Sequence, residues 1–193
     1  MPGYEFTEPL ETDRLLLRPY RSDDFGALHA IRSNADVARY LYWDPQTEDE
    51  VRRTLATKMA SRSIRAEGDV LALVAEHRSA GNQVADVSLH LLSEKHGSAE
   101  IGYIVHPAHA GRGYATEATL PLLAVAFDEL GLHRVIGRTE ARNVASARVL
   151  EKLGLRLEAH FVENELVKGE WQSELVYAIL DREWKSRPAS TPR

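Results

Sequence analysis

Cysteine is absent from the 193 residues, which excludes disulfides, a thiol nucleophile and thiolate metal sites and leaves catalysis to oxygen and nitrogen groups. No apolar run reaches the roughly 18 residues needed to span a bilayer, and Met1 to Leu10 lacks a basic stretch followed by an apolar one. The expectation is therefore a cytoplasmic protein with no membrane partner. An excess of positive charge is also missing: 24 Lys plus Arg stand against 29 Asp plus Glu, a net −5. That balance argues against nonspecific nucleic-acid binding and mildly favours partners that carry positive charge. Two nucleotide signatures are lacking as well. A dinucleotide fingerprint starting at Gly111 needs glycine at 116, where Thr116 stands, and no Gly-Lys-Ser or Gly-Lys-Thr occurs.

What is present is enough apolar sequence, 44% of residues, for one domain of generous size. The period alternates between two and 3.6 residues, which predicts a mixed α/β domain over 1–185 with a tail over 186–193. Thr12 to Arg21 reads as a strand, and Ser22 to Asp24 as a helix start ahead of Phe25, Leu28 and Ile31. Thr47 followed by Glu50 has the spacing of a capping box, and its helix runs towards Arg65. Val70 to Glu76 and Val84 to Leu92 read as a hairpin around Gly81 and Asn82. Ala99 to Val105 is the next strand, ended by Pro107. A helix over 114–130 follows, with Leu120, Leu123, Phe127 and Leu130 inward and Pro121 predicting a kink or break. His133 to Glu140 is a strand, Asn143 to Leu153 a helix closed by Gly154, and Leu155 to Val162 and Trp171 to Leu180 are strands.

The segment Glu100-Ile101-Gly102-Tyr103 through Gly111-Arg112-Gly113-Tyr114-Ala115-Thr116-Glu117-Ala118 combines a strand, a glycine turn and a helix start. Successive N–H groups in such a turn, with the helix N-terminus behind them, form a pyrophosphate site that needs no lysine. The same glycines also suit an ordinary turn that requires positive φ. Further on, Asn143, Ser146 and Leu150 share one helical face. An amide and a hydroxyl can thus meet one ligand, or Asn143 can serve as an N-cap with Ser146 in the first turn. His106 and His109 flank Pro107 and read as loop residues rather than a metal pair, and no metal site is expected.

Together these blocks resemble the GNAT N-acetyltransferase superfamily, in particular its ribosomal-protein-alanine acetyltransferase branch. Gly113 and Ala115 match the phosphate-cradling pattern, although Ala110 stands where Gln or Arg is usual. Asn143, Ser146 and Glu151-Lys152-Leu153-Gly154 match the second block, and the similarity runs from Glu11-Thr12-Asp13-Arg14-Leu15 to Trp184. It implies a mostly antiparallel, twisted sheet of about seven strands, splayed between the fourth and fifth and flanked by about four helices.

It also implies acetyl-CoA as cosubstrate, with pantetheine along Ile104 and Val105. The pyrophosphate would lie on the backbone of Arg112, Gly113, Tyr114, Ala115 and Thr116, with Asn143 and Ser146 alongside. The acceptor would be an amine, either a protein N-terminus or a small molecule. A homodimer is compatible with the family and with the exposed edges of an open sheet. For catalysis, Glu100 is the candidate base through water, against a purely structural ion pair. The family's usual Tyr is replaced by Leu150, so Ser146 is the candidate thiol-positioning or acid group. Ser173 stands where Asp is expected after the Trp. A non-catalytic acyl-CoA-binding module, or a self-associating structural protein, would share the fold without the turnover.

Overall fold

The computed structural model describes residues 2–187. The six of the tail's residues that follow Arg187 lie outside the described residues; Ser186 closes the last helix described below. The strands are β1 (Tyr4–Glu5), β2 (Leu10–Glu11), β3 (Leu15–Pro19), β4 (Ser63–Ile64), β5 (Val70–His77), β6 (Gln83–Ser93), β7 (Ser98–Val105), β8 (Arg134–Glu140), β9 (Arg156–Val167) and β10 (Glu170–Leu180). The helices are α1 (Phe25–Arg32), α2 (Ala35–Ala38), α3 (Glu48–Ala60), α4 (Tyr114–Ala124), α5 (Val144–Lys152) and α6 (Asp181–Lys185).

Eight strands form one sheet in the order β2-β3-β5-β6-β7-β8-β10-β9, and β1 pairs with β4 in a separate two-stranded ribbon. Every pairing in the large sheet is antiparallel except β7 with β8. Parallel neighbours need a crossover, and α4 supplies it.

The strand alternation read from the sequence sorts side chains onto two faces. Ala85, Val87, Leu89 and Leu91 of β6 point into the main apolar core with Leu122 and Leu123 of α4 and Leu150 of α5. Val74 of β5 points the other way, into a smaller cluster with Leu28 of α1 and Val51 and Leu55 of α3. The sheet is thus the middle of three layers.

The capping box at α3 is formed. Thr47 Oγ1 accepts from the Glu50 N–H at 3.4 Å, and the Thr47 N–H donates to the Glu50 carboxylate at 2.8 Å. The helix stops at Ala60 rather than near Arg65, and Ser63–Ile64 turns into β4 instead. The first strand is shorter than expected because Thr12 is taken by a turn onto Leu15 (N···O 2.9 Å). Pro121 does not break α4; the helix runs past it to Ala124 and widens into a π-turn at Val125–Glu129. A widened turn is one of the ways a helix accommodates a missing donor. Among the described residues six α-helices stand where about four were expected, the two extra being the short α2 and α6.

Candidate active site

The parallel pairing of β7 with β8 lasts for three residues, Ser98↔Arg134, Ala99↔Val135 and Glu100↔Ile136, although β7 continues to Val105 and β8 to Glu140. Beyond Glu100 the strands part. The gap opens into a cavity of about 1050 Å³ that passes from the face carrying α1 to α3 to the face carrying the starts of α4 and α5. On the edge facing β8, the backbone groups of β7 past Glu100 have no strand partner among the described residues, so a ligand with amide groups can complete the ladder.

At the α4 side, Gly111 and Gly113 take φ of +75° and +81°, so both need glycine's freedom. Gly113 is the N-cap of α4. The first-turn N–H groups of Tyr114, Ala115 and Thr116 have no intrahelical acceptor, and all three residues line the cavity with Arg112 and Gly113. A positive helix end with unfilled N–H donors suits an anion.

This turn is held from behind. Glu117 Oε1 accepts from the Thr12 hydroxyl at 2.6 Å and the Arg14 N–H at 2.9 Å, while Oε2 accepts from Arg14 Nε at 2.6 Å. The Arg14 guanidinium goes on to donate twice to the Arg112 carbonyl, at 3.2 Å each, and lies 4.6 Å from the centre of the Tyr114 ring. Burial pushes the Glu117 carboxyl up, but the Thr12 hydroxyl and Arg14 outweigh it and leave it below the usual range.

On α5, Asn143 realises the N-cap reading, its Oδ1 accepting from the Ser146 N–H at 3.1 Å, and both residues also line the cavity. The Tyr103 hydroxyl donates to the Ser146 carbonyl at 2.8 Å and lies 2.9 Å from the Ser146 hydroxyl. Burial raises the Tyr103 phenol above its ordinary value, so it stays protonated. Leu150 is 1% exposed and packs so closely on Gly137 of β8 that a methyl added at Gly137 would overlap it. The Leu150 side chain thus fills the space over Gly137 between helix and sheet.

Across the cavity, Ile104 and Val105 line the wall, as does Glu100. Glu100 is held in a two-pronged pair by Arg138, with Nε to Oε1 at 3.0 Å and Nη2 to Oε2 at 2.8 Å. Arg138 also approaches Glu174 at 3.9 Å. Tyr42, on the loop after α2, donates to Glu165 at 2.6 Å and reaches Glu174 at 3.5 Å. Burial holds the Glu174 carboxyl above the usual glutamate value; Arg138 pulls it down, while Glu165 and Glu100 push it up. The sequence reading missed Tyr103, Arg138 and Glu174, which meet the site through sheet register, and Tyr42, which the loop after α2 brings over Glu165 and Glu174. Ser173 is used structurally, its hydroxyl accepting from the Glu163 N–H at 3.0 Å. His109 pairs with the Asn82 amide at 2.7 Å, and His106 accepts from the Ala108 N–H at 3.2 Å.

A family model for the acetyltransferase (GNAT) domain matches residues 14–156. The chain belongs to the GNAT family. It is accordingly an acetyl-CoA-dependent acyltransferase. This GNAT domain is 31% identical over 175 residues to YnaD, an uncharacterised N-acetyltransferase of Bacillus subtilis, covering 91% of the chain and 98% of the relative. A GNAT-family acetyltransferase from Bacillus anthracis superposes with a TM-score of 0.81 at 29% identity, over 90% of this chain and 99% of that one. Spermidine N-acetyltransferase from Vibrio cholerae, solved with CoA and spermine, superposes with a TM-score of 0.77 at 24% identity, over 91% of this chain and all of that one. The latter is a likeness of fold. The short β7–β8 pairing is the splay expected of the GNAT sheet.

Proposed function

We propose that the protein moves the acetyl group of acetyl-CoA onto a primary amine, either a protein N-terminal α-amine or a small-molecule amine, by direct attack on the thioester. The observation that carries the proposal is the parting of β7 and β8 after Glu100, with a glycine-bounded helix start on one side of the opening and paired carboxylates on the other. Ile104 and Val105 would hold pantetheine by backbone bonds, and a strand N–H near Val105 would stabilise the oxyanion. Arg112, Gly113, Tyr114, Ala115 and Thr116 would hold the pyrophosphate, with Asn143 and Ser146 beside the thiol arm.

An α-amine lies about one pH unit from neutrality, so its deprotonation costs only ~1 kcal/mol. Glu100, fixed by Arg138, keeps lone pairs free to order a water at the amine. Glu174, whose carboxyl is already lifted by burial, is the better proton acceptor, since a base works best with a pKa near the working pH. Ser146, steadied by the Tyr103 hydroxyl, would place or protonate the leaving thiolate. A thiol pKa near 8.5 makes unassisted departure uphill by only ~2 kcal/mol at pH 7.

The blocks Glu100 to Tyr103 and Gly113 to Ala118 favour the ribosomal-protein-alanine branch of the family and hence a protein α-amine. The acidic residues of the cavity, together with the spermidine acetyltransferases among the relatives, support a cationic small molecule. Residues 1–185 act as one transferase domain in this proposal. The setting is cytoplasmic, without nucleic acid, membrane or metal, and a homodimer is the proposed assembly. The test is acceptor-dependent release of free CoA thiol across N-terminal peptides, lysine peptides and polyamines, with acetyl-CoA binding measured in parallel. Release with any amine supports the transferase; tight binding without release from the whole panel points to a non-catalytic acyl-CoA module.

A further inference from the structure

Arg32, the last residue of α1, has few bonds for a buried cation. Its side chain is 13% exposed, and its Nε–H is shut off from solvent with no acceptor among the described residues. The nearest carboxylate oxygen, Asp86 Oδ2, is 3.8 Å from Nη2, beyond hydrogen-bonding range. Asp86 is engaged elsewhere, accepting from Lys58 Nζ at 2.8 Å. Two cations therefore share one carboxylate, and the shorter bond goes to the lysine. The Trp43 ring lies 4.7 Å from the guanidinium carbon and holds Arg32 by a cation–π contact.

A guanidinium this buried is costly without a close carboxylate, and Arg32 has only the 3.8 Å approach to Asp86, so its Nη side is the part a cavity-bound acceptor oxygen can reach. Arg32, Trp43 and Lys58 line the same cavity as the parted strands. Asp86 is the cross-strand partner of Ile104, which places this cation pair one strand over from the proposed thioester position. Glu100, Glu165 and Glu174 occupy the other part of the wall. Asp36, also on the wall, belongs to an exposed position of α2, where solvent screens its charge. The cavity thus presents carboxylates towards one region and towards another a planar cation whose one carboxylate neighbour lies beyond hydrogen-bonding range.

We infer that the amine acceptor carries a carboxylate as well, and that Arg32 binds it, with Lys58 adding charge from Asp86. The inference rests on the transferase reading above and narrows its substrate class to amino-acid-like or acidic-peptide amines rather than polyamines. A guanidinium fork matches a carboxylate in two parallel bonds, which a lysine in its place cannot do.

The experiment compares kcat/KM for matched acceptors that differ only in the carboxylate: 4-aminobutanoate against butylamine, and Ala-Glu-amide against Ala-Gln-amide. The first pair reports a free amino acid and the second an acidic side chain on a peptide. In the wild-type protein at least one pair differs by roughly 10- to 100-fold in favour of the carboxylate, the range expected of a charged hydrogen bond. In Arg32→Gln the ratio for that pair falls towards one, and Arg32→Lys recovers only part of it. Because a substitution at a buried cation can disturb folding, a second measurement uses the wild-type protein alone: butanoate inhibits competitively against the acceptor but not against acetyl-CoA. A wild-type ratio near one for both pairs, a ratio unchanged in a folded Arg32→Gln, or no inhibition by butanoate overturns the inference. If no amine of either kind is acetylated, the transferase reading falls with it; acetylation with a ratio of one removes this inference alone.

Discussion

Replacing Glu117 with Gln tests whether the turn proposed to hold the pyrophosphate is set in advance by the contacts behind it. The carboxylate accepts three hydrogen bonds, from the Thr12 hydroxyl, the Arg14 N–H and Arg14 Nε, at 2.6 to 2.9 Å. An amide retains one acceptor oxygen for Thr12 and the Arg14 N–H, but its NH₂ opposes Arg14 Nε donor to donor. A charge-assisted bond is worth about 1.5–3 kcal/mol. Glu117 is 17% exposed but Arg14 is 44% exposed, so solvent screening reduces this to about 1–2 kcal/mol. If that loss is felt in the Arg112 to Thr116 turn, the Kd of acetyl-CoA rises about 5- to 30-fold. The assay is calorimetric titration of acetyl-CoA and of acetyl-pantetheine, which has no pyrophosphate. Only the first should weaken. Equal weakening of both, or of neither in a variant that melts as a folded protein, would refute the argument.

The same pair has a pH signature. The folded-state pKa of Glu117 is depressed, so its contribution is complete above the unfolded value near 4.3 and is lost as pH falls through the folded value; acetyl-CoA affinity should decline in the same acid window in the wild type and not in Glu117→Gln.

Four other outcomes are expected. Tyr103→Phe should lower kcat by about 2- to 10-fold with little change in KM for acetyl-CoA, the worth of one neutral hydrogen bond, and should add nothing on a Ser146→Ala background; full additivity in that cycle would separate the two hydroxyls. If Glu174 accepts the proton, kcat/KM falls as acidification protonates it, at a pH above the ordinary glutamate range, and Glu174→Gln removes this limb while leaving the amine's own titration near 8; a variant profile with the acid limb intact argues for another base. Gly137→Ala should destabilise by about 1–3 kcal/mol, since the new methyl meets Leu150, and Leu150→Ala should recover part of that loss in thermal melts; no coupling between the sites would contradict the close helix–sheet approach. Gly113→Asp should weaken acetyl-CoA binding through the positive φ at that position and the added charge at the helix start; undiminished affinity by titration would remove the turn from the cosubstrate site.

Features set by neighbours in the chain are legible in the sequence itself. The Thr47 to Glu50 box, the Asn143 cap, the Gly113 helix start and the end of β7 at Pro107 all depend on residues within one turn of each other. Tyr103 and Ser146, by contrast, are 43 residues apart, and nothing local distinguishes that tyrosine from any other strand aromatic. Arg138, Glu100 and Glu174 meet because β8 lies between β7 and β10, an order that α4 and the β9–β10 hairpin impose rather than the strands themselves. β9 extends to Val167 through exposed residues on a sheet edge, where burial leaves no pattern to read. Two-residue strands such as β1 and β4 carry too little sequence to show a period.

The unfinished edge of β7 has a consequence for the end of the reaction as well as the start. Backbone groups that pair with the amides of a pantetheine arm meet the same arm whether or not an acetyl group is attached. Free CoA should therefore occupy the opening nearly as well as acetyl-CoA, and the enzyme should slow as its own product accumulates. With pantetheine along β7 as proposed, and both forms of CoA above their dissociation constants, its rate would follow the ratio of acetylated to free CoA more closely than the concentration of either.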